Sequence, residues 1–203
     1  MNEQEIKWDS KTSKKIFCWA YVLNFSLEQA QYYYDFYKDA ICMYNEAMSK
    51  TNTDGTIDWL KMPSINMICK GEAYRDALIM RTRMFLKESM GSQEITLGGL
   101  INLVNKNNIQ VNTLFTLTDE LKQVHGKLID TLIYTADKRI AHHDYNAMQE
   151  KLALGQSLLD NNWEGFFNDV KFIIKDLNRK IDDTYEISRN NGGATIDLEP
   201  YLL

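Results

Sequence analysis

The sequence predicts an all-α protein, an antiparallel helical bundle of about five to six helices. Over most of the chain, apolar residues recur at three- and four-residue steps, the spacing that places them on one face of a helix. Only two prolines occur among the 203 residues, Pro63 and Pro200, so long helices meet few obligatory breaks. No run of strand length alternates apolar and polar residues.

The composition predicts a single helical domain over 1–203, since this length can bury a substantial core. The cysteines Cys18, Cys42 and Cys69 are odd in number and widely spaced, which indicates a reducing compartment and no zinc site. No apolar stretch approaches the roughly 18 residues of a membrane span. We therefore expect a cytoplasmic protein that uses neither membrane nor cofactor. The net charge of −5 disfavours general coating of nucleic acid.

The first elements are a short segment and a long helix. Residues 1–25 are expected to form an N-terminal segment packed on the bundle. Ser26 is predicted to open the first long helix, because Gln29 stands three residues later as in a capping box. Apolar and aromatic residues follow at helical spacing, which favours core packing over base stacking: Ala30, Tyr33, Tyr34, Tyr37, Ile41 and Tyr44. The run TNTDGT at 51–56 then predicts a turn.

Three helices are predicted in the middle of the chain. Pro63 suits the first turn of one helix, and Gly91 suits its end. The run TLGGLINLVN at 96–105 predicts a short capped helix or helical turn. The strongest periodicity comes next and predicts a buried helical stripe, made of Leu114, Leu117, Leu121, Val124, Leu128 and Leu132.

Two more helices and a tail complete the predicted bundle. The run YNAMQEKLALGQSLLDNN at 145–162 predicts one helix, and Trp163 is predicted to begin the last. The inward face of the last helix is predicted to carry Phe166, Phe167, Val170, Ile173, Ile174, Leu177, Ile181 and Tyr185. The tail at 189–203 departs from helical periodicity and is expected to lie extended on the surface.

The segment YTADKRIAHHDYN at 134–146 carries the residues most suited to catalysis. Arg139 precedes His142 by three residues and His143 by four, so a helix would place all three on one surface. Imidazole transfers protons near neutral pH, and a guanidinium holds phosphate through two parallel hydrogen bonds. Metal-independent phosphodiester cleavage needs these groups. The alternative is a basic cluster that only complements the dipole at a helix end.

Two further groups of polar residues are given structural interpretations. His125 lies beside the apolar stripe and is interpreted as a packed or half-exposed side chain. Arg75, Arg81 and Arg83 are interpreted as a solvated basic face rather than as a phosphate contact.

The run ADKRIAHHD resembles the RDKxIAHxD signature common in the abortive-infection branch of the HEPN superfamily. Upstream, EAYRDALIMRTRMFLKE followed by ITLGGLINLVN is similar to the usual order of elements in that family, and the resemblance covers roughly 26–145. It implies an all-α bundle that dimerises, bringing two copies of an Arg-x(4–6)-His motif to one cleft. Catalytic members are metal-independent endoribonucleases of phage defence and toxin–antitoxin systems, and other members bind partners without known catalysis.

The resemblance also implies roles for individual residues. It makes His142 the motif histidine and Asp137 the polar residue that follows the arginine. The arginine itself is expected at 136, where this chain has Ala136. Arg139 is the candidate substitute as phosphate stabiliser, with Asp137 and His143 as supporting groups.

Three hypotheses about function remain open from the sequence. The chain is a dimeric HEPN-type ribonuclease acting on RNA, or a catalytically silent HEPN-like module that binds a protein or nucleotide partner, or a helical bundle unrelated to that family. For the first two, the expected partners are a second copy of the chain and a separately encoded antitoxin or nucleotidyltransferase.

Overall fold

The computed structural model describes residues 6–49, 65–86, 95–107, 112–136 and 158–201, and this part of the chain is helical with no strand. The predicted all-α bundle is confirmed. The helices are α1 (Ser10–Ser49), α2 (Ile65–Leu86), α3 (Leu97–Lys106), α4 (Asn112–Tyr134) and α5 (Trp163–Asn190), followed by a 3-10 turn at Glu199–Tyr201. The predicted ends at Pro63 and Gly91, and residues 145–157 of the helix predicted over 145–162, lie outside the described residues.

Helix α1 runs antiparallel to both α2 and α5. The ring of Phe17 lies 5.1 Å from that of Tyr185, and the ring of Tyr34 lies 5.3 Å from that of Trp163, measured between centroids. On another side of α1, the ring of Phe36 lies 5.0 Å from that of Tyr74 on α2. The enclosed core draws side chains from all five helices, including Ile16, Leu23, Leu78, Leu100, Leu132 and Phe166.

The predicted helix start at Ser26 is wrong, because α1 already begins at Ser10. Asp9 precedes this start, and its Oδ1 accepts a hydrogen bond of 2.6 Å from the Thr12 N–H. That bond from the Thr12 backbone holds the pKa of Asp9 below its usual value. Ser26 is buried in the middle of α1. The buried residues on either side of it keep one helical phase, and burying that face outweighs the local preference for a cap: Ile16, Ala20, Leu23, Leu27 and Ala30.

The predicted short helix is confirmed as α3. Thr96 is its N-cap, and its Oγ1 accepts a hydrogen bond of 3.0 Å from the Gly99 N–H. This bond satisfies one of the backbone donors that the first turn of a helix leaves unpaired. The apolar residues of α3 then turn into the core.

Helix α4 contains a kink at His125, whose φ of −113° and ψ of 17° are not helical. Leu121, Leu128 and Leu132 are buried as predicted. The prediction for Val124 is wrong, because its side chain is 71% exposed. The buried residues Leu121, His125, Leu128 and Leu132 follow one another at steps of four, three and four, so His125 takes the inward position and Val124 faces outward. The side chains of the other two predicted stripe residues, at 114 and 117, lie outside the described residues.

Helix α5 buries the whole inward face predicted for it. It continues to Asn190, and a turn follows in which Gly192 has a φ of +79°, a conformation that favours glycine. Gly193 packs so closely against Ser188 that a Cβ there would clash. The chain then lies extended beside the start of α1. The Trp8 N–H donates to Ser188 Oγ at 2.6 Å, and the Ala194 N–H donates to the Trp8 carbonyl at 2.9 Å.

Candidate functional site

Of the predicted catalytic segment at 134–146, the structure describes only residues 134–136. Asp137, Arg139, His142 and His143 lie outside the described residues. Helix α4 leads to this motif, and the last described residue before it is Ala136. The geometry around Ala136 therefore bears on the place where the HEPN resemblance expects an arginine.

Ala136 is completely enclosed, with 0% of its surface exposed. It follows α4 in a wider, π-helical turn at 135–136. Thr135 is also buried, and its Oγ1 donates a hydrogen bond of 2.6 Å to the Thr131 carbonyl. A guanidinium at position 136 would have to displace its neighbours or be buried, and an unpaired buried charge is strongly unfavourable. The position suits a methyl group and not a cation.

A second polar group lies at the kink of α4. His125 is 6% exposed, and its Nε2 lies 2.8 Å from Asp169 Oδ2 on α5. The His125 ring also packs edge-on against Phe166, with 5.5 Å between ring centroids. The interpretation of His125 as a packed side chain is confirmed.

A histidine bonded to a carboxylate is the arrangement that orients an imidazole for proton transfer. The geometry of the His125–Asp169 pair indicates a packing role and not proton transfer. The imidazole that would meet a substrate is enclosed, whereas the Asp169 side chain is 54% exposed. The pair therefore ties the kink of α4 to α5, which keeps the two helices in register.

The contribution of the His125–Asp169 hydrogen bond is measurable with a double-mutant cycle. We expect His125→Leu and Asp169→Ala to show a coupling of about 0.5–1.5 kcal/mol in the free energy of unfolding, as for a typical hydrogen bond. Urea unfolding of the two single variants and the double variant gives this value. Asp183→Ala, an exposed carboxylate elsewhere on α5, is the control and should add independently to His125→Leu. Zero coupling for the first pair would contradict the structural role.

The interpretation of the α2 arginines as one solvated face is wrong for Arg75, which is buried. Its Nε and Nη2 donate to Asp76 Oδ1 at 2.9 and 2.8 Å, and its Nη1 lies 3.9 Å from Glu72 Oε1. The guanidinium of Arg75 is therefore paired with carboxylates of its own helix, and the aliphatic part of its side chain packs in the interior. Arg81 and Arg83 are half-buried.

Sequence reasoning missed an exposed apolar surface on α1. We call it the α1 stripe, and it consists of Phe25, Tyr32, Phe36 and Met43, which are 39–55% exposed. None of these residues belongs to the aromatic set predicted for the core, of which Tyr37 is buried and Tyr33 and Tyr34 are partly buried against the core. The signal that separates the two sets is the spacing of the stripe, with steps of seven, four and seven residues that follow one line along a helix.

Other kinds of site are not seen in the described ranges. Within them, no group of three or more His, Cys, Asp and Glu side chains is placed to hold a metal ion. None of the described helices combines the length and the apolar character needed to cross a membrane. Comparison of the chain with protein-family models, curated proteins and solved structures gave no match.

Proposed function

We propose that this chain is a HEPN-like helical protein that acts by binding a partner and not by cutting RNA. The observation that carries the proposal is the complete enclosure of Ala136, at the position where the resemblance expects the phosphate-stabilising arginine. Loss of one preorganised donor of this kind typically lowers a rate on the order of 10² to 10³-fold. The enclosed methyl group also argues against a cleft at this position.

We also propose that the chain forms a homodimer and is located in the cytoplasm. The homodimer is what the family resemblance implies. The cytoplasmic location is supported by Cys18, Cys42 and Cys69, which are all free thiols. A separately encoded antitoxin or nucleotidyltransferase would be a partner in keeping with the same resemblance.

A ribonuclease is the second candidate, because KRIAHHD follows α4 in the order that the family resemblance implies. In that mechanism His142 would transfer the proton and Arg139 would stabilise the charged phosphate, with Asp137 and His143 in support. The 2′-hydroxyl of the ribose would lose its proton as its oxygen attacks the phosphorus, the P–O5′ bond would break, and the leaving 5′-oxygen would take up a proton.

Cleavage of labelled RNA in EDTA separates the two candidates. We expect the wild-type protein to cut structured and single-stranded RNA no faster than His142→Ala, because no arginine stands at position 136. Lys138→Ala is a matched control, since it removes a neighbouring cation that neither mechanism uses. Metal-independent cleavage by the wild type and by Lys138→Ala, lost in both His142→Ala and Arg139→Ala, would overturn the proposal in favour of the ribonuclease.

A further inference from the structure

The α1 stripe forms a straight apolar surface along one helix. Its first and third members are 11 residues apart, as are its second and fourth, and 11 residues return to nearly the same angle after three turns. From Phe25 to Met43 the stripe is about 27 Å long, at 1.5 Å per residue. Phe25 also stacks on Tyr21, with ring centroids 6.4 Å apart, which extends the surface towards the start of α1.

An acidic row runs beside the stripe. Each stripe residue is followed three positions later by a carboxylate, so the row repeats the same steps of seven, four and seven. The row consists of Glu28, Asp35, Asp39 and Glu46, all of them exposed. Residues three apart are neighbours on a helix surface, so the carboxylates line one edge of the stripe along its whole length.

The opposite edge of the stripe is closed by α2. Tyr74 packs against Phe36 and against Tyr33, with ring centroids 5.0 and 6.3 Å apart. The ring of Tyr32 lies 4.5 Å from that of Phe36 and remains more than half exposed. The stripe is therefore an apolar strip with a wall on one side and negative charge on the other.

We propose that the α1 stripe binds a basic amphipathic helix of a partner protein. Such a helix would lay its apolar side on the aromatic rings and Met43, residue types that are enriched in interface cores. Lysine or arginine on its flank would meet the acidic row, which selects the partner by charge. The inference deepens the proposed function by naming the chemistry of the partner.

The acidic row disfavours other occupants of the stripe. RNA and anionic lipid surfaces carry negative charge, and the carboxylates repel both. A second copy of the chain in an antiparallel pairing would bring the same edge of each stripe together, so that two acidic rows would face each other. A positively charged helix is the occupant that the charge pattern favours.

Fluorescence anisotropy with two synthetic peptides tests the proposal. The probe is an 18-residue amphipathic helix with leucine on one face and lysine on its flanks, and the matched peptide carries glutamate in place of lysine. We expect the lysine peptide to bind the wild type, and Tyr32→Ser/Met43→Ser to weaken it by about tenfold or more. Asp35→Lys/Asp39→Lys should reverse the preference in favour of the glutamate peptide.

Phe172→Ser is the control variant, because it removes an aromatic side chain on α5 that is 63% exposed and away from the stripe. Far-UV circular dichroism and a thermal melt confirm that each variant is folded. The proposal would be overturned if the lysine peptide did not bind, or if all variants bound it equally. It would also be overturned if the wild type formed a dimer that only the Tyr32→Ser/Met43→Ser variant dissociates. The RNA assay is independent of this test. If the protein neither cuts RNA nor binds the peptide, the proposal for the α1 stripe is wrong and the non-catalytic function stands. If it binds the peptide and also cuts RNA, the non-catalytic function is wrong and the proposal for the stripe stands.

Discussion

Replacing Ala136 with arginine is expected to destabilise the fold by about 3 kcal/mol or more and not to create an active ribonuclease. The alanine methyl group is fully enclosed, beside Thr135 and one helical turn after Leu132, which are themselves buried. The longer side chain must push these neighbours apart or leave its charge without water. Both effects act on the folded state and lower the free energy of unfolding.

Urea unfolding of Ala136→Arg against the wild type measures this effect. Tyr134→Arg is the matched control, since it places the same side chain two residues earlier at a position that is 44% exposed. We expect the control to change the free energy of unfolding by no more than about 0.5 kcal/mol. An Ala136→Arg protein that is as stable as the control and cleaves RNA would show that position 136 faces a cleft, against the proposed function.

Truncation of Trp163 to alanine is expected to cost about 3–5 kcal/mol, the range for removal of a large aromatic side chain from a core. Trp163 is 1% exposed and its ring packs against those of Tyr34 and Phe167, with centroids 5.3 and 5.5 Å away. Its Nε1–H also donates a hydrogen bond of 2.7 Å to the Leu158 carbonyl. The residue therefore joins the start of α5 to α1 and to the chain that precedes α5.

Thermal and urea unfolding of three variants divide this effect into its parts. Trp163→Phe keeps most of the ring and loses the donor, so it should cost about 1–2 kcal/mol. Phe172→Ala removes an exposed aromatic residue of the same helix and should change little. A loss of under 1 kcal/mol for Trp163→Ala would mean that the start of α5 does not contribute to the cooperative core.

Helix α5 was predictable from its sequence because its apolar residues keep one phase along the whole helix. The errors in the other helices have tertiary causes. The capping motif at Ser26 is locally favourable, yet α1 continues through it because its buried face is continuous. Val124 fits the periodicity of α4, but the neighbouring His125 takes the inward position, and its partner Asp169 lies 44 residues away in the sequence.

The candidate sites were predictable only in part for the same reason. The residues of the KRIAHHD segment can be found by their chemistry, whereas the burial of Ala136 depends on the surrounding packing. Likewise, Tyr32 and Tyr37 are both aromatic residues of α1, and only the position of α2 and α5 decides that one is exposed and the other enclosed. Composition does not distinguish the two faces.

The pairing of α1 with α5 has a consequence for synthesis in the cell. A ribosome completes α1 first, but the rings that cover Phe17 and Tyr34 belong to the last long helix. At about 5–20 residues per second, the intervening chain takes on the order of 10 s to make. During that time the side of α1 that carries Phe17 and Tyr34 lacks its native partner helix. We therefore expect the time needed for translation, as well as the stability of the finished bundle, to affect how much of this protein aggregates.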